Sequence, residues 1–174
     1  MIITKTYQIC PNADLIEADL RDAKLKDAIL IGVNLEGSNL RWANLEGANL
    51  YMAKLNGSEL ERANLKEADL IGANLSGANL TNANLTKANL EKANLFGANL
   101  EWAELNYTNL QETNFRYADL RNADLQGADL TDADLESANL TKTDLYKAII
   151  DKKWYDYIKK QNVLCFETII WGEE

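Results

Sequence analysis

Between residues 13 and 150 the apolar positions fall in pairs, two residues apart, and each pair recurs every five residues. Ala73-Asn74-Leu75-Ser76-Gly77 followed by Ala78-Asn79-Leu80-Thr81-Asn82 is a representative stretch. With the leucine position written i, every i from Leu15 to Leu145 is Leu except Phe115, and Ile150 ends the series. The 28 positions at i−2, from Ala13 to Ala148, are Ala except at Val33, Ser38, Ser58, Thr108, Thr113 and Thr143. A helix would place apolar residues at three- and four-residue intervals, and a strand would alternate without interruption. Here the alternation lasts three residues and is then broken by two polar ones. That spacing predicts a short extended segment, a corner, and the same again. Units this small cannot bury their apolar pair alone, so successive turns of the chain must stack on one continuous core.

The glycines identify the corner. Eight of the nine, Gly32, Gly37, Gly47, Gly57, Gly72, Gly77, Gly97 and Gly127, fall at i+2, a position that Asn82 and Asn122 also occupy. The third residue of a type II turn needs positive φ, which Gly and Asn tolerate best. A turn running from i to the next i−2 puts i+2 in that place.

The A(D/N)LXX motif resembles the signature of the pentapeptide repeat family, as found in its cyanobacterial members, over about four fifths of the chain. The resemblance implies an all-β solenoid: a right-handed quadrilateral β-helix of about seven four-sided coils, with i and i−2 inside. At a strand spacing of about 4.8 Å the rod would be about 30 Å long. The expected organisation is an N-terminal cap segment over 1–12, the β-helix over 13–150, and a C-terminal cap of helix plus apolar segment over 151–174.

The flanks support that division. Residues 1–12 are too short and polar for a signal peptide, and Pro11, the only proline, marks the entry to the register. Asp151 is placed to cap a helix from Lys152 to Lys160, with Trp154 and Ile158 on one face, and Val163 to Trp171 reads as a second apolar element. Capping is one use for Trp154, Ile158, Phe166, Ile170 and Trp171; a homodimer joined through them is the other, so monomer and C-terminally mediated dimer are both open. Within the ladder, Ala103 to Ala118 is the least regular stretch. The buried hydroxyls of Thr108 and Thr113 need partners there, from a local bulge, retained water or ordinary packing variation.

A net charge of −9 disfavours direct nucleic-acid or anionic-membrane binding. The chain has no His, and its two cysteines, Cys10 and Cys165, lie beyond opposite ends of the ladder, which suits free thiols in a cytoplasmic protein. The carboxylates follow the repeat and not a calcium loop, and phosphate-binding loops are missing, so neither cofactor, metal nor catalysis is expected.

With four repeats per coil, residues twenty apart stack in columns. One face carries Ile29, Ile31, Tyr51, Met52 and Ile71 towards its N-terminal end. Further along it carries Asp69, Glu91, Glu112, Asp129, Asp132 and Asp151 against Lys92. An apolar patch beside an acidic field suits a protein partner, although Ile and Tyr also favour extended backbone for its own sake. Trp42 and Trp102 share another column, with Phe96, Tyr107 and Tyr117 near the irregular coils. The expected function is a non-catalytic rigid scaffold for an unidentified protein partner. The alternative implied by the family is an acidic DNA mimic that binds a type II topoisomerase.

Overall fold

A computed structural model describes residues 11–172 of the chain. The expected N-terminal cap therefore falls outside the described residues except for Pro11 and Asn12, which form a turn. From there to Asp151 the chain winds as a right-handed quadrilateral β-helix. Each residue at i−1 makes a parallel bridge with the residue twenty further on, from Asp14 with Asn34 to Asp124 with Asp144.

Every corner in the ladder is the turn inferred from the glycines. From Ala18 onward the amide at each i−2 donates to the carbonyl of the preceding i residue, as Ala78 does to Leu75 (3.0 Å). All the i+2 residues have φ between 54° and 65°, including Trp42, Met52 and Tyr107. A non-glycine residue in the left-handed region costs roughly 1–2 kcal/mol, so the stack imposes the corner even where the local sequence opposes it. What offsets the cost is a complete set of amide partners. Taking one repeat, the Leu75 amide donates to Asn94 O (2.7 Å), Gly77 to Phe96 O (2.9 Å) and Asn74 back to Ala53 O (2.9 Å). The remaining amide, Ser76, donates to Asn74 Oδ1 (3.2 Å).

That last bond explains the Asx residue at i−1. Its Oδ1 satisfies the one amide the coils cannot reach. Asn has a further use, because Nδ2 of Asn94 donates to Asn74 Oδ1 (3.1 Å) and Nδ2 of Asn114 donates to Asn94 Oδ1 (3.0 Å). Asp supports only the first of these bonds, since an ionised carboxylate has no donor.

Ala and Leu face inward in uniform columns, and from the second coil onward the inward positions are at most 2% exposed. The irregular stretch keeps this packing. Thr108 and Thr113 donate their hydroxyls to the carbonyls of Leu85 (3.0 Å) and Leu90 (2.9 Å) on the preceding coil. Ser38 instead bonds within its own turn, to Leu35 O (2.8 Å). The bridges across the region are unbroken, Asn94 with Asn114 and Asn109 with Asp129. There is no bulge, because the backbone of the coil before supplies the acceptor.

At the C-terminal end, strands β1 (Asp129–Leu130), β2 (Ile149–Asp151) and β3 (Ile170–Gly172) form a parallel sheet in the order β1-β2-β3. The register shifts from twenty residues to twenty-one at the last step, where Ile149 pairs with Ile170. Between β2 and β3 the single helix expected over Lys152 to Lys160 is divided. A 3-10 turn, Lys152–Trp154, leads into a short α-helix, α1 (Tyr155–Lys159). Asp151 does not cap it: the residue belongs to β2, and its carboxylate accepts the Asp132 amide (3.0 Å) and pairs with Lys153 (3.0 Å). The expected second apolar element is also broken, by Cys165 in the left-handed region and a 3-10 turn at Phe166–Thr168.

This segment supplies the last coil with partners on all four sides. Trp154 Nε1 donates to Ala133 O (3.0 Å) and the Tyr157 hydroxyl to Ala138 O (2.7 Å). Gln161 Oε1 accepts the Leu140 amide (2.6 Å), and Asn162 O accepts that of Lys142 (2.6 Å). Leu164 N donates to Thr143 O (2.8 Å) and Ile170 N to Ala148 O (2.8 Å). Side chains substitute for an eighth coil where helix replaces strand, and backbone takes over where the chain extends again.

Candidate interaction surface

The coil stacking brings the apolar side chains of one face into register. Ile31, Tyr51 and Ile71 occupy consecutive coils, tied by Gly32 N to Tyr51 O (2.8 Å) and Met52 N to Ile71 O (3.0 Å). Ile29, Ile31, Tyr51 and Met52 are exposed by 60, 36, 40 and 53%, while Ile71 is half-buried. Met52 lies flat across the next coil: its Sδ sits 2.8 Å from where a Cβ on Gly72 would be. The glycine at 72 is therefore a seat for Met52 as well as a turn residue, a role that sequence spacing leaves unmarked.

The acidic half of the face is less open than its composition suggests. Glu91 and Glu112 share Lys92 (2.7 and 3.3 Å), and their hydrogen bonds, Glu91 foremost, hold that ammonium above the ordinary lysine value. Asp69 accepts the Ile71 amide (3.2 Å). Asp129 is saturated by Gln111 Nε2 (2.7 Å) and by the Thr131 amide (3.0 Å) and hydroxyl (2.6 Å). Asp132 is exposed. Asp151 leaves the acidic column altogether, because its place in β2 buries it to 7% exposure. Arginines interrupt the charge on the other faces: Arg41 pairs with Glu59 (3.0 Å), Arg116 with Glu136 (2.5 Å) and Arg121 with Asp119 (2.7 Å).

The remaining aromatics are dispersed over the corners. Trp42 is covered by the Arg62 guanidinium (4.6 Å), and Trp102, in the same column, is 56% exposed. Phe96 meets Tyr117 edge-on at 5.4 Å, while Tyr107 lies over Gly127. Of the C-terminal residues expected at a surface, Ile158 is fully buried and Trp154, Phe166 and Trp171 are half-buried; Ile170 is exposed. Phe166 and Trp171 pack with Tyr155 at 5.1–5.7 Å. Tyr155 completes this cluster only because the irregular 3-10 and α turns aim it there, which a regular helical reading misses.

The family model for pentapeptide repeats matches in overlapping segments, 30–62, 58–95, 93–132 and 113–151. The chain belongs to the pentapeptide repeat family. Among solved structures, this pentapeptide repeat protein is similar to HetL of the cyanobacterium Nostoc sp. strain PCC 7120, which is involved in the regulation of heterocyst differentiation. The identity is 27% over 94% of this chain and 87% of HetL, with a TM-score of 0.41. It is 30% identical to Rfr23 of the cyanobacterium Cyanothece 51142, over 77% of this chain and 64% of that one (TM-score 0.41). QnrB1, a plasmid-mediated fluoroquinolone resistance protein, is 13% identical over 95% of this chain and 89% of its own (TM-score 0.45). Comparison with curated proteins gives no match. No helix among the described residues is long and apolar enough to cross a membrane.

Proposed function

We propose that the protein is a non-catalytic, rigid cytoplasmic scaffold whose face bearing Ile29, Ile31, Tyr51, Met52 and Ile71 binds a protein partner. The supporting observation is the exposure of four large apolar side chains on adjoining coils whose backbone amides are paired with the next coil or within their own turn. Contiguous apolar surface of this kind marks interaction sites. Asp69, Glu91, Glu112, Asp129 and Asp132 border the patch, with Glu112 and Asp132 the most accessible of them for orienting the partner. The C-terminal segment acts first as a cap, because Trp154, Ile158, Phe166 and Trp171 turn towards the last coil and one another; Ile170 and Leu164 are what it leaves for a second copy.

The test compares wild type with the Ile31→Asp/Tyr51→Asp/Ile71→Asp variant in affinity capture from the source cells, after circular dichroism has shown both folded. The captured protein is then purified and titrated against each. Binding retained by wild type and lost by the variant is the expected result. A partner that binds both equally would remove this face from the reading.

A further inference from the structure

The ladder opens on a strand edge that no described residue completes. Inside the rod the amide at each i−1 donates to an i−2 carbonyl of the coil before, as Asn49 does to Ala28 O (2.9 Å). Its carbonyl accepts an amide from that same coil, as Asn49 O does from Leu30 (2.7 Å). Ile29 holds this register one coil earlier, and among the described residues neither its amide nor its carbonyl has a backbone partner. Leu25 and Ala28, beside it, are half-buried. An unpaired edge over a partly covered core is a template for one more strand.

Asn12 already belongs to a coil before the first. It holds the i+2 register with φ 61°, its amide donates to Ile31 O (2.8 Å), and its Oδ1 fills the space that a Cβ on Gly32 would take. Gly32 and Met52 repeat the relation, donating to Tyr51 O (2.8 Å) and Ile71 O (3.0 Å). Pro11 therefore falls at i+1, the one position whose amide the coils do not use. In later coils that amide is satisfied by the side chain at i−1, as Ser76 is by Asn74 Oδ1 (3.2 Å). A proline there forfeits no coil-to-coil bond, and its fixed φ suits the second residue of a type II turn. No Asx is then needed two residues before it, and Ile9 stands in that place.

The same count assigns Cys10 to i, above Leu30, Ile9 to i−1, above Ile29, and Gln8 to i−2, above Ala28. A cysteine is a small apolar residue fit for an inward place, and a β-branched isoleucine favours the extended backbone of an outward one. One side further back the register would turn Lys5 inward over Leu25. An unpaired ammonium in an apolar column is costly, so the added strand is confined to one side of the rod. A strand from another chain is the competing occupant. It would have to displace a segment joined directly to the edge, whose effective concentration is on the order of millimolar.

We propose that Gln8 to Cys10 add a parallel strand to the first coil over Ile29 and Leu30, with Cys10 buried and Ile9 exposed beside Ile29. The apolar face then begins one coil earlier, at Ile9. That consequence rests on the reading of the face as a partner surface; the strand itself does not.

The test reads both side chains and the backbone in the full chain, with no partner required. In a Cys165→Ser variant, which removes the exposed thiol, N-ethylmaleimide should alkylate Cys10 at least about tenfold more slowly than in denaturant, because the thiol is reached only when the strand opens. The thiol introduced by Ile9→Cys, with Cys10→Ala and Cys165→Ser, should react at close to its unfolded rate. By NMR the Ile29 amide should exchange about tenfold more slowly than that of Asp14, the worth of one hydrogen bond, and the methyls of Ile9 and Ile29 should be in contact. Cys10 reacting as fast in the folded chain as in denaturant overturns the proposal, as does an Ile29 amide no slower than that of Asp14. Ile29 protected while Cys10 reacts freely also overturns it, and gives the edge to another chain, a second copy if the protection grows with protein concentration.

Discussion

The first and last coils of the β-helix carry the same motif at the same register, differing inward only at Thr143 and Ile150, yet most of their inward positions are buried very differently. Ala13, Leu15, Ala18, Ala23, Leu25 and Ala28 of the first coil are only half-buried, and only Leu20 and Leu30 there are buried, whereas Ala133, Leu135, Ala138, Leu140 and Ile150 of the last are at most 2% exposed. Among the described residues, the difference lies in the layer packed on the last coil. The last coil has Trp154, Tyr157, Ile158 and Gln161 against it, with β3 added to its sheet. Position in the motif therefore decides which way a side chain points, and the neighbouring layer decides how much burial that direction is worth. This is the behaviour of a one-dimensional stack, in which each unit owes its stability to the units on either side.

Removing the advantage of the last coil should have the largest effect. A chain ending after Asp151 should lose amide exchange protection throughout residues 131–150 and melt earlier, while the middle coils stay protected. A uniform loss across the rod would mean that the coils unfold only together. Next in size is a matched pair of core truncations. Leu75→Ala should cost about 2–5 kcal/mol in denaturant unfolding, and Leu15→Ala, already half-exposed, about half of that. Ala73→Leu belongs with the former, because the alanine column has no space for added volume; an unaffected melt would contradict the inward assignment. Equal costs at Leu15 and Leu75 would place an additional layer over the first coil.

The smallest effect concerns one bond of the C-terminal segment. Tyr157→Phe should cost about 1 kcal/mol by leaving Ala138 O without that donor, with Gln161 Nε2 (3.2 Å) still available. Burial, opposed by the hydrogen bond with Gln161, raises the Tyr157 phenol above its ordinary value of 10.0. The neutral hydroxyl is then the form the fold prefers. Its contribution is intact below pH 10.0 and is lost as the pH rises through the folded value, so wild type and Tyr157→Phe should converge in stability at high pH. Curves offset by a constant amount would show that folding does not raise the phenol, and coincident curves that the bond contributes nothing.

The same contrast governs how far the molecule can be understood before its structure is known. Within the ladder, inward and outward positions, the corner type and the columns are all legible, because each coil is built from the same local arithmetic. The apolar half of the interaction face is legible for the same reason: Ile31, Tyr51 and Ile71 are twenty apart. The acidic half is less so, since whether a carboxylate stays available depends on rotamers, as when Glu91 and Glu112 close on Lys92. The C-terminal segment is legible least. Asp151 has the sequence features of a helix cap, but the adjoining coil offers it the Asp132 amide, and tertiary contact overrides the local preference. The seating of Met52 on Gly72 is likewise a relation between coils that no single repeat displays.

The twenty-residue step, constant from Asp14 to Ile149, gives the rod a property that globular folds seldom have: it measures distance. Any two outward positions in one column are separated by a whole number of coils, so Ile31 and Thr131, five steps apart, stand about 24 Å from each other along the axis. Inserting or deleting one complete coil would move everything beyond it by a single increment of about 4.8 Å, with no change of direction between side chains. Two partners held on the same column would be spaced by gene length alone, in units set by the hydrogen bond between strands.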